Sequence, residues 1–149
     1  MKMQLAEIAH AVGAINDFEQ WGSVSVTSVA FDSRHLQPGG LFIPLTGEHD
    51  GHPFIQSAID HGAVATLWAR DLASAPADFP VIQVDDSLKA LQTLAQYYLS
   101  KINPRVVAVT GSNGKTTTKD MIAAVLSTQF NVTKTHANFN NEIGVPMTV

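Results

Sequence analysis

The 149-residue sequence predicts an α/β fold built from two units, residues 1–102 and residues 103–149. Short β-branched segments alternate along the chain with segments whose apolar residues recur at helical spacing, which is typical of α/β proteins. Asn103-Pro104 interrupts the chain after a predicted helix, because the residue before a proline disfavours the helical conformation. Beyond that break, an apolar segment leads directly into a glycine-rich loop and then into another helix.

The first unit is predicted to contain three helices and four strands. Gly13 marks the end of the first helix, and Asp86 or Ser87 caps the last one. Pro44 is expected to end its strand early or to place it at a sheet edge. In chain order the predicted elements are a helix over residues 5–12, strands at Val24–Phe31 and Leu41–Leu45, a helix from Pro53 through Ile59, strands at Ala63–Trp68 and Val81–Val84, and a helix from Leu88 through Tyr98.

Composition narrows the class of protein. The chain is 45% hydrophobic and 15% charged, which excludes a disordered protein, and no apolar run approaches the roughly 20 residues that cross a bilayer. The chain has no cysteine, which excludes a disulfide scaffold and a thiolate metal site and fits a reducing compartment. The first ten residues include Glu7 and do not resemble a secretion signal. We therefore expect a soluble cytoplasmic protein.

Charge is distributed unevenly between the two units. Residues 1–104 carry five Lys and Arg against eleven Asp and Glu, whereas residues 105–149 carry four against two. The weakly basic second part favours a small anionic ligand, but its cations are too sparse for a nucleic-acid interface.

The second unit begins with a strand–loop–helix segment whose sequence is VVAVTGSNGKTTTK. A buried strand is predicted at Arg105–Val109, a tight loop at Gly111–Gly114 and a helix at Lys115–Thr128, followed by a strand at Val132–Lys134. Glycines let backbone amides converge on an anion, and a helix N-terminus adds partial positive charge. This context favours binding of a nucleoside triphosphate over a plain glycine turn with a capping lysine.

The lysine and threonine that open this helix are suited to phosphate chemistry. Lys115 would reach the β- and γ-phosphates, and the hydroxyl of Thr116 would help to hold Mg²⁺. The spacing is T-G-x-x-G-K-T, which is shorter than the common phosphate-loop form.

Three segments of the sequence together resemble the Mur ligases, the ATP-dependent amide-bond-forming enzymes of peptidoglycan synthesis. They are TGSNGKTTTKD, NFNNEIGVP at Asn138–Pro146, and DSRHLQPGGLFIPLTGEHDGHPFIQSAIDHGA in the first unit. The resemblance implies an N-terminal mixed α/β domain that binds a UDP-linked substrate. It implies that residues 103–149 are the first strand–loop–helix–strand of a phosphate-loop ATPase domain.

The resemblance also implies roles for individual residues. Lys115 and Glu142 are the implied catalytic residues, and Thr116 and Glu142 are the implied Mg²⁺ ligands. The implied ATP-binding residues are Gly111, Ser112, Asn113, Gly114, Lys115, Thr116, Thr117, Asn138 and Asn141. The implied contacts to the UDP substrate are Ser33, Arg34, Thr46, Gly47, Asp50, Gly51 and His52.

NNEIGVP together with GKTTTKD resembles the family member that adds D-alanyl-D-alanine, whereas the preceding ligase would show a shorter N-T-I-G version. The resemblance therefore implies ligation of D-alanyl-D-alanine to UDP-N-acetylmuramoyl-tripeptide, with ATP and Mg²⁺, through an acyl phosphate. A folylpolyglutamate-synthase-like ligase is a second possibility, but it should lack the D-S-R block. A third is a uridine-nucleotide-binding module without catalysis. Since the family's central domain continues well beyond NNEIGVP, we expect this chain alone to be inactive in ligation. We also expect a cut central sheet to expose strand edges and favour self-association.

Several candidate residues also have a simpler structural explanation. Arg34 suits pyrophosphate recognition, with a surface salt bridge as the alternative. His49, Asp50 and His52 could suggest a metal site, but a solvated turn in a glycine-containing loop explains them better. Asp86 is better explained as a helix cap than as a catalytic carboxylate.

Overall fold

The structure is a computed structural model that describes residues 2–47, 50–135 and 141–148. It combines short strands, four of them in a parallel sheet, with helices, and this confirms the predicted α/β class. In chain order they are β1 (Met3–Gln4), α1 (Leu5–Val12), β2 (Ser25–Val26), β3 (Ser28–Ala30), β4 (Gly40–Phe42), α2 (Ile55–Asp60), β5 (Ala63–Trp68), β6 (Val81–Gln83), α3 (Ser87–Ile102), α4 (Lys115–Leu126) and α5 (Gly144–Met147).

Four of the strands form a parallel sheet in the order β3-β4-β5-β6. Both faces of this sheet are covered, as parallel sheets require. Leu41, Leu67 and Ile82 point to the face that packs against α1 and α3, whereas Phe42 lies in a second cluster with Ala58 of α2. This alternation along β4 follows from the two-residue period of a strand.

The predicted strand Val24–Phe31 is divided between two sheets. β2 pairs antiparallel with β1, and β3 pairs parallel with β4. Thr27 separates the two strands, and its backbone N–H and its hydroxyl both donate to the carbonyl of Gly39. β4 ends at Phe42, two residues before Pro44, which confirms that this proline ends the strand early.

The predicted signals at the end of α1 and at the start of α3 are confirmed, whereas α2 begins at Ile55 and not at Pro53, which lies in a short 3-10 helix, His52–Phe54. Gly13 caps α1 in the left-handed conformation at φ 69°. The carboxylate of Asp86 accepts hydrogen bonds from the amides of Leu88 and Lys89, so Asp86 is the N-cap of α3. Asn103, also left-handed at φ 44°, ends α3 directly before Pro104.

The second unit has the predicted loop and helix but not the predicted strands. Residues 105–109 and 132–134 are assigned no regular structure. Val106 and Val107 are 73% and 59% exposed, so the expected burial of Arg105–Val109 is wrong. A parallel strand forms only against a neighbouring strand, and the part of the chain that the structure describes offers none here. No described helix is long and apolar enough to cross a bilayer.

Candidate functional site

The predicted UDP-substrate residues follow the carboxyl ends of two adjacent strands. β3 ends at Ala30 and β4 ends at Phe42, and the two strands pair in parallel. Ser33 and Arg34 lie in the loop after β3, and residues 46–52 lie in the loop after β4. Ligands of open parallel sheets bind outside the carboxyl ends of the strands. The fold therefore brings these seven residues to the edge where a ligand is expected, which we call the carboxyl edge.

Asp32 organises the loop after β3. Its carboxylate accepts hydrogen bonds from the backbone N–H of Arg34 at 2.9 Å, from Nε of Arg34 at 2.9 Å and from Nη2 of Arg34 at 2.6 Å. The Arg34 guanidinium holds the pKa of Asp32 far below its usual range. Ser33 is buried, whereas the Arg34 side chain is 80% exposed. Arg34 therefore forms the salt bridge that was the alternative to pyrophosphate recognition, and its Nε and Nη2 groups already donate to Asp32.

The loop after β4 closes on itself. Thr46 and Asp50 form an antiparallel bridge, and the N–H of Gly51 donates to the carbonyl of Leu45 at 2.9 Å. A Cβ at Gly51 would lie 3.0 Å from Pro44 Cα, so a larger residue would require the neighbouring backbone to shift by a few tenths of an ångström. Around Gly47, by contrast, an added Cβ would meet open space. His49 lies outside the described residues.

His52 is the deepest residue of this loop. Its side chain is only 2% exposed, so the expected solvated turn is wrong for this residue. Nδ1 of His52 lies 2.7 Å from Oδ1 of Asp50, and the His52 ring meets the Trp68 ring edge to face with centroids 4.6 Å apart. The pKa of Asp50 is lowered chiefly by this histidine contact and also by the charge of Arg70. The loop is thus held from inside by a histidine–carboxylate pair.

Sequence reasoning missed Arg70 as a functional candidate. Its Nη2 donates to Oδ2 of Asp50 at 2.6 Å, and its side chain is 46% exposed. It follows β5 by two residues, so it lies at the same carboxyl edge as the loops after β3 and β4. The signal in the sequence was its position directly after a predicted strand, combined with the scarcity of cations in the first unit.

The phosphate-loop residues form an open turn at the start of α4. Gly111 and Gly114 have φ values of 149° and 76°, and α4 begins at Lys115. Residues 111–114 are all exposed, as are Thr116 and Thr117 in the first helical turn. Nζ of Lys115 donates to the carbonyl of Gly111 at 2.5 Å, so the ammonium group folds over the loop. The backbone amides of this turn and the lysine can together hold an anion.

The segment that carries Glu142 is packed against the first unit. Ile143 and Met147 contact the core cluster that includes α3, and Nε2 of Gln92 donates to the backbone carbonyl of Glu142 at 3.3 Å. The Asn141 side chain accepts a hydrogen bond at 2.7 Å from the N–H of Gly144, the first residue of α5. Glu142 is exposed, and within the described ranges no hydrogen bond joins it to the phosphate loop. Asn138 lies outside the described residues.

The oxygen donors assigned to Mg²⁺ suit that ion in chemistry. The Thr116 hydroxyl and the Glu142 carboxylate are hard oxygen ligands, and both side chains are exposed. Within residues 2–47, 50–135 and 141–148, no group of three or more His, Cys, Asp or Glu side chains forms a ready-made metal site.

Family models match both parts of the chain. Residues 25–99, half of the chain, match the catalytic domain of the Mur ligase family, and residues 109–149 match the Mur ligase middle domain. The UDP-N-acetylmuramoyl-tripeptide–D-alanyl-D-alanine ligase of Bacillus subtilis is 49% identical over the whole chain. The chain spans only 33% of that relative's length.

Solved structures show the same likeness. A crystal structure of MurF from Acinetobacter baumannii matches 99% of this chain with a TM-score of 0.83 and 31% identity, and the match covers 32% of that protein. The MurF ligase from Thermotoga maritima in complex with ADP matches 83% of this chain and 28% of its own, with a TM-score of 0.69 and 33% identity. The fold, the phosphate loop and these matches agree, and the chain belongs to the Mur ligase family.

Proposed function

We propose that the chain is part of an ATP-dependent ligase that joins D-alanyl-D-alanine to UDP-N-acetylmuramoyl-tripeptide in peptidoglycan synthesis. The observation that carries this proposal is the 49% identity, over the whole chain, to the Bacillus subtilis ligase of that name. The open turn at residues 111–114, directly before α4, adds the phosphate-binding geometry that such a reaction needs. ATP would phosphorylate the terminal carboxylate of the tripeptide, and the amine of D-alanyl-D-alanine would then displace phosphate.

The contribution of this chain to that chemistry is positioning and charge neutralisation. The amides of residues 111–114 and the N-terminus of α4 would hold the phosphate chain, and Lys115 would move from the Gly111 carbonyl onto the β- and γ-phosphates. Thr116 and Glu142 would hold Mg²⁺, which supplies charge neutralisation at the phosphoryl oxygens when bound. The roles of Ser112, Asn113 and Thr117 in the same site follow from their place in the turn and the first helical turn.

The two units have separate tasks in this proposal. Residues 1–102 bind the UDP-linked substrate at the carboxyl edge, and residues 103–149 begin the ATP site. Ile143 and Met147 pack against the core of the first unit, which supports a direct contact between the unit that binds the UDP-linked substrate and the unit that begins the ATP site. We place the reaction in the cytoplasm, where ATP is available, and a chain without cysteine fits that reducing compartment.

We also propose that the 149-residue chain self-associates when isolated. Val106, Val107 and Val125 are 73%, 59% and 70% exposed, and exposed apolar patches drive association. Light scattering should show an apparent mass that rises with protein concentration, and Val107→Lys should reduce that rise. A monomer at all concentrations would contradict the idea.

The ligase proposal is tested in a chimaera in which these 149 residues replace the matching third of the Bacillus subtilis relative. We expect phosphate release that depends on ATP, UDP-N-acetylmuramoyl-tripeptide and D-alanyl-D-alanine together. Lys115→Ala should lower that rate by about a hundredfold or more, since it removes a charge that stabilises the transferring phosphoryl group. Affinity for the UDP-linked substrate should stay unchanged in the same variant.

Arg105→Ala provides the matched control, because it removes a cation from the same unit outside the phosphate loop. A folded chimaera that binds both substrates but releases no phosphate would contradict the proposal. Equal loss of phosphate release and of UDP-substrate affinity in Lys115→Ala would contradict the separation of the two tasks.

A further inference from the structure

Two arginines lie at the carboxyl edge, and they differ in how many hydrogen-bond donors remain free. Arg34 commits Nε and Nη2 to both carboxylate oxygens of Asp32. Arg70 commits only Nη2, to one oxygen of Asp50. Within the described part of the chain, Nε and Nη1 of Arg70 have no partner, so this half-exposed guanidinium keeps donors for a ligand.

The Asp50 carboxylate that holds Arg70 is itself fixed from the interior. Its Oδ1 accepts hydrogen bonds from the backbone N–H of His52 at 3.1 Å and from Nδ1 of His52 at 2.7 Å. This contact assigns the proton to Nδ1 in the neutral ring, because the carboxylate can only accept. The opposite oxygen, Oδ2, faces Arg70 at 2.6 Å. His52, Asp50 and Arg70 therefore form a chain of side-chain contacts that runs from the interior to the carboxyl edge.

The backbone on both sides of Arg70 is held as well. The His52 ring packs against Trp68, the last residue of β5 and two residues before Arg70. The carbonyl of Arg70 accepts a hydrogen bond from Nε2 of Gln83, the last residue of β6. The loop after β4 and the residues after β5 are thus tied to each other, so the backbone at Arg70 is held while its side chain is anchored by the pair with Asp50.

We propose that Arg70 binds the diphosphate of the uridine nucleotide, and that His52, acting through Asp50, is the positioning residue that aims it. This inference rests on the proposed function, because it assumes that a UDP-linked substrate binds at the carboxyl edge. A guanidinium with free donors matches phosphate oxygens, whereas the bidentate Asp32 pair leaves Arg34 less able to do so. His52 does not touch the nucleotide in this arrangement, since its side chain is 2% exposed.

Calorimetric titration of the 149-residue chain with UDP and with uridine separates the diphosphate from the nucleoside. Arg70→Gln should weaken UDP binding about ten- to hundredfold, the range expected for losing a hydrogen bond to a charged group. Uridine binding should stay unchanged. Arg34→Gln is the matched control and should weaken UDP binding less than Arg70→Gln does.

The role of His52 is tested by rescue and by coupling to Arg70. His52→Asn keeps a side-chain N–H near the Nδ1 position and should retain UDP affinity better than His52→Ala does. The melting temperature of His52→Ala verifies that this variant folds. His52→Ala combined with Arg70→Gln should bind UDP no more weakly than Arg70→Gln alone, because both changes remove the same contact.

Each failure has its own signature. If Arg70→Gln lowers UDP and uridine affinity equally, or changes neither, the diphosphate role is wrong although the nucleotide site stands. If the effects of His52→Ala and Arg70→Gln on the free energy of UDP binding are additive, His52 does not act through Arg70. If the unaltered chain binds neither UDP nor uridine, the nucleotide site of the proposed function fails, and the role of Arg70 fails with it.

Discussion

Helices α3 and α4 show how differently the two units of this chain are stabilised. α3 buries Ala90, Leu91 and Leu94 against the parallel sheet, whereas α4 buries only Ala123. The strand predicted before α4 has no strand beside it among the described residues, and Val106 and Val107 are exposed. An amphipathic sequence is therefore not enough for a packed element, because most of the stability of a helix comes from the surface it covers.

The largest expected effect is a loss of stability when a cavity is created in the core of the first unit. Leu67 in β5 is fully buried, and Leu67→Ala should lower the free energy of unfolding by about 2–5 kcal/mol. Val125→Ala in α4 is the control, since Val125 is 70% exposed and its loss should change that energy by less than about 0.5 kcal/mol. Urea unfolding followed by circular dichroism measures the free energy of unfolding of both variants. Similar losses in the two variants would contradict the difference in packing between the two units.

Two glycines in the left-handed conformation, one in each unit, allow a second comparison. Gly13 has φ 69° at the end of α1, Gly114 has φ 76° at the start of α4, and an added Cβ would meet no atom at either. Each substitution by alanine costs about 1–2 kcal/mol of backbone strain. Gly13→Ala should lower the midpoint of urea unfolding, whereas Gly114→Ala should leave it unchanged and weaken binding of Mg-ADP about tenfold. A lower midpoint of urea unfolding in Gly114→Ala would mean that the phosphate loop unfolds together with the core.

Features that depend on neighbours in sequence were predictable. The caps at Gly13 and Asp86, the strand at residues 63–68 and the turn before Lys115 all follow from local conformational preferences, and the structure has each of them. The division of Val24–Phe31 at Thr27, and the lack of strands at 105–109 and 132–134, depend on which segment lies alongside. Local sequence does not specify that partner.

The candidate site divides in the same way. The phosphate loop and the D-S-R segment are local motifs, so sequence reasoning found them. The burial of His52 and the contact of Arg70 with Asp50 join the loop after β4 to the end of β5, twenty residues apart in the case of Arg70. Such a contact is visible only once the order β3-β4-β5 is known.

A third prediction concerns pH, and it compares Asp50 with Asp120 of α4. Both carboxyl groups have a lowered pKa, caused chiefly by His52 for Asp50 and by Lys134 for Asp120. A lowered pKa in the folded state stabilises the protein above the unfolded pKa, near 4, and this stabilisation is lost as the pH falls through the folded value. Asp50→Asn should therefore lower the melting temperature at pH 7, and the difference should shrink below about pH 4.

Asp120→Asn should leave the melting temperature unchanged throughout, because its partner lies in the poorly packed second unit. Thermal melts of both variants from pH 2 to pH 8 provide the measurement. A pH-independent difference for Asp50→Asn would assign its effect to lost hydrogen bonds rather than to charge.

The smallest expected effect tests whether surface pairs contribute to the better packed unit. Glu7 of α1 accepts hydrogen bonds from Lys101 at 2.6 Å and from the Tyr97 hydroxyl at 2.9 Å, both on α3. Glu7→Gln should lower the melting temperature by about 1–2 °C at low salt, and the difference should vanish in 0.5 M NaCl, where exposed charges are screened over about 4 Å. Lys134→Gln, which breaks the pair with Asp120, should have no effect at either salt concentration. A salt-independent loss in Glu7→Gln would show that packing between α1 and α3, not charge, makes this contact matter.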